Sequence, residues 1–167
     1  MRPIKVLIVD DSALVRTIIT ELLSLDPQLE VVGAASDPFE ARDMIKQLQP
    51  DVLTLDVEMP KMDGITFLRN LMRLRPMPVI MLSTLTTKGA SVTLEALELG
   101  AVDFIAKPKS EQLLGNLKTF KQELIAKVIF AASVDIHILR RKRSHVAAPI
   151  QFNTELSSNT IIAIGAS

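Results

Sequence analysis

The chain has 167 residues, 48% of them hydrophobic, with 19 basic and 19 acidic side chains and no cysteine. Set against the ~100–150 residues of a typical domain, that is one domain plus a remainder too short for a core of its own. The composition excludes a disordered chain, disulfides and thiolate metal sites; no apolar run reaches the ~20 residues of a membrane helix, and zero net charge gives no global attraction to nucleic acid or membrane.

Residues 4–9 form the first of five short apolar runs, followed by 30–35, 52–55, 79–82 and 102–105, with starts 26, 22, 27 and 23 residues apart. Each is rich in Val, Ile and Leu, as a strand buried on both faces of a parallel sheet requires. The first run meets Asp10-Asp11, too soon and too acidic for a signal peptide, so a cytoplasmic location is expected. Ser12 is placed to cap a helix with the apolar stripe Val15, Ile18, Ile19, Leu22 and Leu23. Asp37-Pro38 opens a second helix with a cap and a first-turn proline. Leu113, Leu117, Phe120, Leu124 and Val128 step by three and four along a longer final helix, which residues 131–143 extend. The expected fold is α/β, a doubly wound five-stranded parallel sheet of flavodoxin type with helices on both faces.

Beyond that helix the pattern changes. Residues 144–159 are aperiodic and read as a linker, and residues 160–164 are again strand-like, followed by Gly165-Ala166-Ser167. The chain is therefore expected to stop inside its next domain. Residues 1–130 carry 15 basic and 17 acidic side chains, and residues 131–167 carry four and two. The four are consecutive, Arg140-Arg141-Lys142-Arg143, and read as a solvated basic tether.

Right-handed crossovers place all strand C-termini on one edge, where an open α/β sheet keeps its active site. Asp10-Asp11, Asp56, Ser83-Thr84 and Lys107-Pro108 all fall there. Singly, these are ordinary turn, capping and loop residues. Together, three carboxylates repel one another unless a cation joins them, and an all-oxygen set favours a hard ion, Mg²⁺ foremost. With a hydroxyl and a lysine beside them, Asp56 is placed to attack phosphorus while Lys107 neutralises charge. A dehalogenase-type phosphatase needs a second acid two positions on, followed by Gly-Thr; here Asp56-Val57-Glu58 runs into Met59-Pro60.

The stretches Val9-Asp10-Asp11-Ser12 and Leu55-Asp56-Val57-Glu58-Met59-Pro60-Lys61-Met62-Asp63-Gly64, with Ser83 and Lys107-Pro108, closely resemble the receiver (CheY-like) domain of two-component response regulators over about residues 3–125. The resemblance implies that Asp56 is the phospho-acceptor and that Asp10, Asp11, Asp56 and the backbone carbonyl of Glu58 hold Mg²⁺. It also implies Ser83 as the switch hydroxyl and Phe104 as the switch aromatic, a position where Tyr is common.

The output is read from the remainder. A DNA-binding regulator is disfavoured by the strand-like residues 160–164, and a stand-alone receiver, acting as a binding switch, leaves them unexplained. Ile161-Ile162-Ala163-Ile164-Gly165-Ala166-Ser167 resembles the opening strand and nucleophile turn of the chemotaxis methylesterases, as do Pro50-Asp51-Val52-Leu53-Thr54 and Val92-Thr93-Leu94-Glu95-Ala96 further up the chain. That resemblance implies a receiver over residues 1–125, a helix extension and interdomain linker over 126–159, and the start of a catalytic domain over 160–167. It further implies Ser167 as the esterase nucleophile, the histidine kinase CheA and methylated chemoreceptors as partners, and the chain's own catalytic domain as the regulated target. Demethylation of receptor glutamate esters and deamidation of receptor glutamines are the implied activities. His137 and His145 read as solvated linker residues rather than the triad's base, so this length of chain is expected to be inactive as an esterase.

Overall fold

The computed structural model describes residues 2–59, 61–83, 87–108 and 115–143. Ser83 and Lys107 fall inside these ranges; Thr84, Leu113, His145, the linker, the strand-like residues 160–164 and Ser167 lie outside them. Five strands, β1 (Ile4–Val9), β2 (Leu29–Ala35), β3 (Val52–Asp56), β4 (Val79–Ser83) and β5 (Asp103–Ala106), form one parallel sheet in the order β2-β1-β3-β4-β5. This is the doubly wound order in which the chain reverses direction of growth between β1 and β3. All residues of β3 and β4 are buried, which explains their continuous rather than alternating apolar runs.

Five helices follow the strands: α1 (Ala13–Ser24), α2 (Pro38–Leu48), α3 (Gly64–Leu74), α4 (Thr87–Leu99) and α5 (Leu117–Ala132). Contacts pair α1 with α5 and α3 with α4, so the sheet is covered on both faces. The capping expectations hold. Ser12 Oγ accepts from the Val15 N–H at 3.2 Å, and Asp37 Oδ1 accepts from the Phe39 and Glu40 N–H groups at 2.9 Å with Pro38 in the first turn. Ile19, Leu22 and Leu23 are buried in the core, and Val15 and Ile18 pack against it.

The final helix departs from expectation. It stops at Ala132, where the Ser133 N–H turns back to the Phe130 carbonyl at 3.0 Å and its Oγ donates to the same oxygen at 2.6 Å. Asp135 then caps a separate helix, α6 (136–143), accepting from the His137 N–H at 3.0 Å and the Ile138 N–H at 3.2 Å. A helix that ran on would leave Ile136 to fall wherever the periodicity of α5 put it. The break lets Ile136 enter the core, with Val134 and Leu139 packed against it.

Two of the four basic residues are half-buried and bonded to the fold rather than freely solvated. Arg140 donates to the Met72 carbonyl of α3 at 2.9 Å. Arg143 donates to the carbonyls of Leu97 at 2.8 Å and Val102 at 2.9 Å, and also to that of Ala101. The acceptors of Arg143 lie at the end of α4 and in the turn into β5, where helical carbonyls run short of intrahelical donors. Burial pulls the Arg143 pKa below its ordinary value, with Asp103 opposing. Gly100, with φ of +125°, makes the turn, and a Cβ there would also meet Arg140 Cγ and Cδ at 3.3 Å. Arg143→Ala is expected to lower unfolding free energy by about 1–3 kcal/mol in urea titrations, and Arg143→Lys to recover little of it, because one ammonium cannot replace the planar fork. An unchanged midpoint in Arg143→Ala would show that α6 stays docked on its apolar residues alone.

Candidate functional site

The ends of the strands assemble the site. Asp10 follows β1, Asp56 and Ser83 are the last residues of β3 and β4, and Lys107 follows β5. Asp10 is fully buried, and Asp56 and Ser83 are nearly so; Asp11 is exposed. A cleft of about 770 Å³ opens above them, lined by Asp11, Asp56, Glu58, Met59, Ser83 and Lys107 among others.

Lys107 Nζ stands 2.9 Å from Asp10 Oδ2 and 2.9 Å from Asp56 Oδ1. The remaining oxygen of Asp10 accepts from the Ser12 N–H at 2.8 Å, and its backbone carbonyl accepts from Arg16 at 2.8 Å, which fixes the turn into α1. Asp56 Oδ1 also accepts from the Glu58 N–H at 3.2 Å. Its Oδ2 makes no hydrogen bond among the described residues. The Lys107 N–H donates to the Ser83 carbonyl at 2.8 Å, tying the hydroxyl-bearing strand end to the lysine.

Burial pushes the Asp56 carboxyl up to about 7, the Asp10 charge adds to this, and Lys107 opposes it. Burial works against the Lys107 ammonium, but Asp10 and Asp56 hold its pKa above the ordinary lysine value. The consequence for stability has a definite sign. In metal-free protein the folded state keeps a proton on Asp56 that the unfolded chain has already released, so stability falls as pH rises from about 4 to about 7 and then levels. Asp37 and Asp51, lowered by a backbone N–H and by Arg2 respectively, act with the opposite sign only below the ordinary carboxylate range. Urea midpoints in chelator between pH 5 and 8 are expected to fall with pH in wild type and to flatten in Asp56→Asn. A wild-type profile that rises over that window would contradict the assignment.

The donor chemistry suits a hard cation. One oxygen from each of Asp10, Asp11 and Asp56 can be chosen so that all lie within 4.8 Å of one another, and the set holds no sulfur or imidazole.

Some further contacts of the site show only in the structure. Gly64 opens α3 against the end of β3: its N–H donates to the Val57 carbonyl at 2.8 Å, and a Cβ would lie 2.1 Å from the Asp56 carbonyl oxygen. Its companion Asp63 caps α3 through the Thr66 N–H at 2.8 Å, a signal that Asp-Gly before an apolar helix does carry. Phe104 is 36% exposed at the outer strand. Lys127 of α5 lies 5.4 Å from its ring centroid, donates to its carbonyl at 2.8 Å, and pairs with Glu123 at 3.0 Å and Asp103 at 3.5 Å.

Comparison with known proteins agrees with this architecture. The model of the response regulator receiver domain matches residues 6–118. The chain is 54% identical over 171 aligned residues to a protein-glutamate methylesterase/protein-glutamine glutaminase of Saccharophagus degradans, covering 100% of this chain and 49% of that one. Its fold is similar to the response regulator domain of Thermotoga maritima CheB, with a TM-score of 0.72 and 44% identity, covering 80% of this chain and 99% of that one. It is also similar to a chain of the CheX-CheY-BeF3-Mg²⁺ complex of Borrelia burgdorferi, with a TM-score of 0.59 and 34% identity over 71% of this chain and 89% of that one. The chain spans about half the length of the curated relatives it matches. With the 2-1-3-4-5 sheet, the acidic edge and the lysine across it, the match establishes that the chain belongs to the family of response regulator receiver domains.

Proposed function

We propose that Asp56 accepts a phosphoryl group from the phosphohistidine of the chemotaxis kinase CheA, and that this relieves inhibition of a catalytic domain following the receiver. The observation that carries the reading is the double contact of Lys107 with Asp10 and Asp56 at the mouth of a cleft that also holds Ser83. Asp10, Asp11, Asp56 and the Glu58 backbone carbonyl would hold Mg²⁺, which when bound screens the phosphoryl oxygens from the carboxylates. The presence of Mg²⁺ in the similar Borrelia complex supports that choice of ion.

The chain's own residues then divide the work. Asp56 attacks through an oxygen as carboxylate; an O–P bond forms, the donor's N–P bond breaks, and the imidazole leaves with that electron pair. Lys107 takes up the charge that Asp56 gives away, and the Ser83 hydroxyl donates to a phosphoryl oxygen. Ser83 moving toward the phosphoryl group vacates space into which Phe104 turns, giving up the ring contact with Lys127 and reshaping the face that includes exposed Leu94.

The remaining division of the chain belongs to the same proposal, and its support is that the chain spans only about half the length of its curated relatives. Residues 1–125 are the receiver, 126–159 the connecting segment and 160–167 the opening of a methylesterase domain with Ser167 as nucleophile, acting in the cytoplasm on chemoreceptor glutamate methyl esters and glutamines. Phosphorylated CheA with Mg²⁺ is expected to pass its label to this chain, which alone releases no methanol from methylated receptors. Failure of transfer to folded protein, or methanol release by these 167 residues, would contradict the reading.

A further inference from the structure

A groove of about 310 Å³ runs between α2 and α3, shares no lining residue with the cleft that holds Lys107 and Ser83, and is not used by the phosphoryl chemistry. Its floor is apolar. Phe67 and Leu71 are buried at its base, while Phe39 is 44% exposed and Leu74 75% exposed along its lip. Two large apolar side chains this open, on neighbouring helices and facing one trough, form a patch of the kind that marks an interaction surface.

The rim is basic. Arg42, Lys46, Arg73 and Arg75 all line the groove, and no carboxylate does so among the described residues. In a chain with equal numbers of acidic and basic residues, that segregation is local. The cations are also largely uncommitted. Arg42 stacks on the Phe39 ring at 5.8 Å and sits 3.8 Å from Asp43; Arg73 and Arg75 reach only amide or carbonyl oxygens at 3.4 Å. Their present partners are long or neutral, leaving guanidinium forks able to take carboxylates in pairs.

We infer that this groove docks an acidic amphipathic segment of a partner protein, apolar side chains against Phe39, Phe67 and Leu74 and carboxylates against the arginines. An anionic surface without apolar anchors would leave the floor wet, and a neutral apolar helix would leave the arginines without counter-charge. An acidic amphipathic helix satisfies both, in the helix-in-groove mode. The inference is independent of the phosphorylation reading, because it uses no residue of that site.

The test uses the full chain and a fluorescein-labelled twelve-residue synthetic helix with leucine and phenylalanine on one face and glutamate elsewhere. Its counterpart has lysine for every glutamate. The acidic peptide is expected to bind saturably, in roughly the 10–100 μM range. At least a tenfold loss is expected in Leu74→Glu and in Arg73→Glu, and the lysine peptide should not bind. Both substitutions are at exposed positions, and circular dichroism verifies that the variants fold. Absence of saturable binding, equal binding of the lysine peptide, or binding indifferent to both substitutions would overturn the proposal. So would self-association by light scattering that Leu74→Glu abolishes, which assigns the groove to a second copy. Binding to phosphatidylglycerol vesicles in place of the peptide would assign it to a membrane surface and equally overturn it.

Discussion

Gly64→Ala is expected to destabilise the chain by about 3 kcal/mol, although alanine is the better helix former by about 1 kcal/mol. The added Cβ would stand 2.1 Å from the Asp56 carbonyl oxygen and 2.9 Å from Val57 Cα. Both obstacles are backbone, one at the end of a fully buried strand, so neither can swing aside as a side chain would. Either α3 retreats, breaking the 2.8 Å Gly64–Val57 hydrogen bond, or the end of β3 shifts. The substitution therefore damages stability and the placement of Asp56 together. Urea unfolding measures the first, and the rate of phosphoryl uptake by the folded fraction measures the second. A loss under 1 kcal/mol with unchanged uptake would mean that the contact relaxes cheaply.

Lys107→Met is expected to cost about 3–5 kcal/mol at pH 8 in chelator. Asp10 Oδ2 is buried, and the 2.9 Å contact with Lys107 is the one polar contact it has among the described residues. Removing the ammonium leaves Asp10 and Asp56 side by side in a buried place with no cation between them. The penalty has a pH signature of known sign. Without Lys107 the Asp56 carboxyl rises further above its ordinary value, so the variant regains stability as pH falls, more steeply than wild type. Millimolar Mg²⁺ is expected to restore part of the loss at pH 8. A variant as stable as wild type at pH 8, or one that weakens on acidification toward pH 5, would contradict the electrostatic account.

How much of this was legible in the sequence depends on what each residue contacts. The five strands are legible because a strand buried on both faces must be apolar throughout; their ends differ by one residue, at β2 (from Leu29) and β5 (to Ala106) along apolar chain, and elsewhere where a polar residue ends a strand. Asp56 and Ser83 are such cases: they terminate β3 and β4 in the ladder, while the apolar criterion stopped one residue short. Asp10, Asp11, Asp56, Ser83 and Lys107 were gathered correctly onto one edge because crossover handedness alone puts them there.

The rest depended on contacts distant in sequence. The basic run 140–143 looks solvated until α3 supplies a carbonyl to Arg140 from 68 residues away, and the end of α4 with the turn into β5 supplies those of Arg143 from 41–46 residues away. The expected extension of the final helix through residue 143 fails at Ala132, and the capping carboxylate of Asp135 is the local signal for the break. Gly64 shows nothing in sequence of the carbonyl above it, and Lys127 reads as one more surface lysine until β5 brings Phe104 beneath it.

The central claim is that Asp56 is the phospho-acceptor of a metal-assisted site. It is tested most directly by incubating folded wild type and Asp56→Asn with a small phosphodonor such as phosphoramidate, with and without Mg²⁺, and mapping the label by peptide mass spectrometry. The account predicts one phosphoryl group on the peptide containing Asp56, dependent on Mg²⁺ and absent from Asp56→Asn. Label that persists in Asp56→Asn, or wild type that stays unlabelled with Mg²⁺ present, would contradict it.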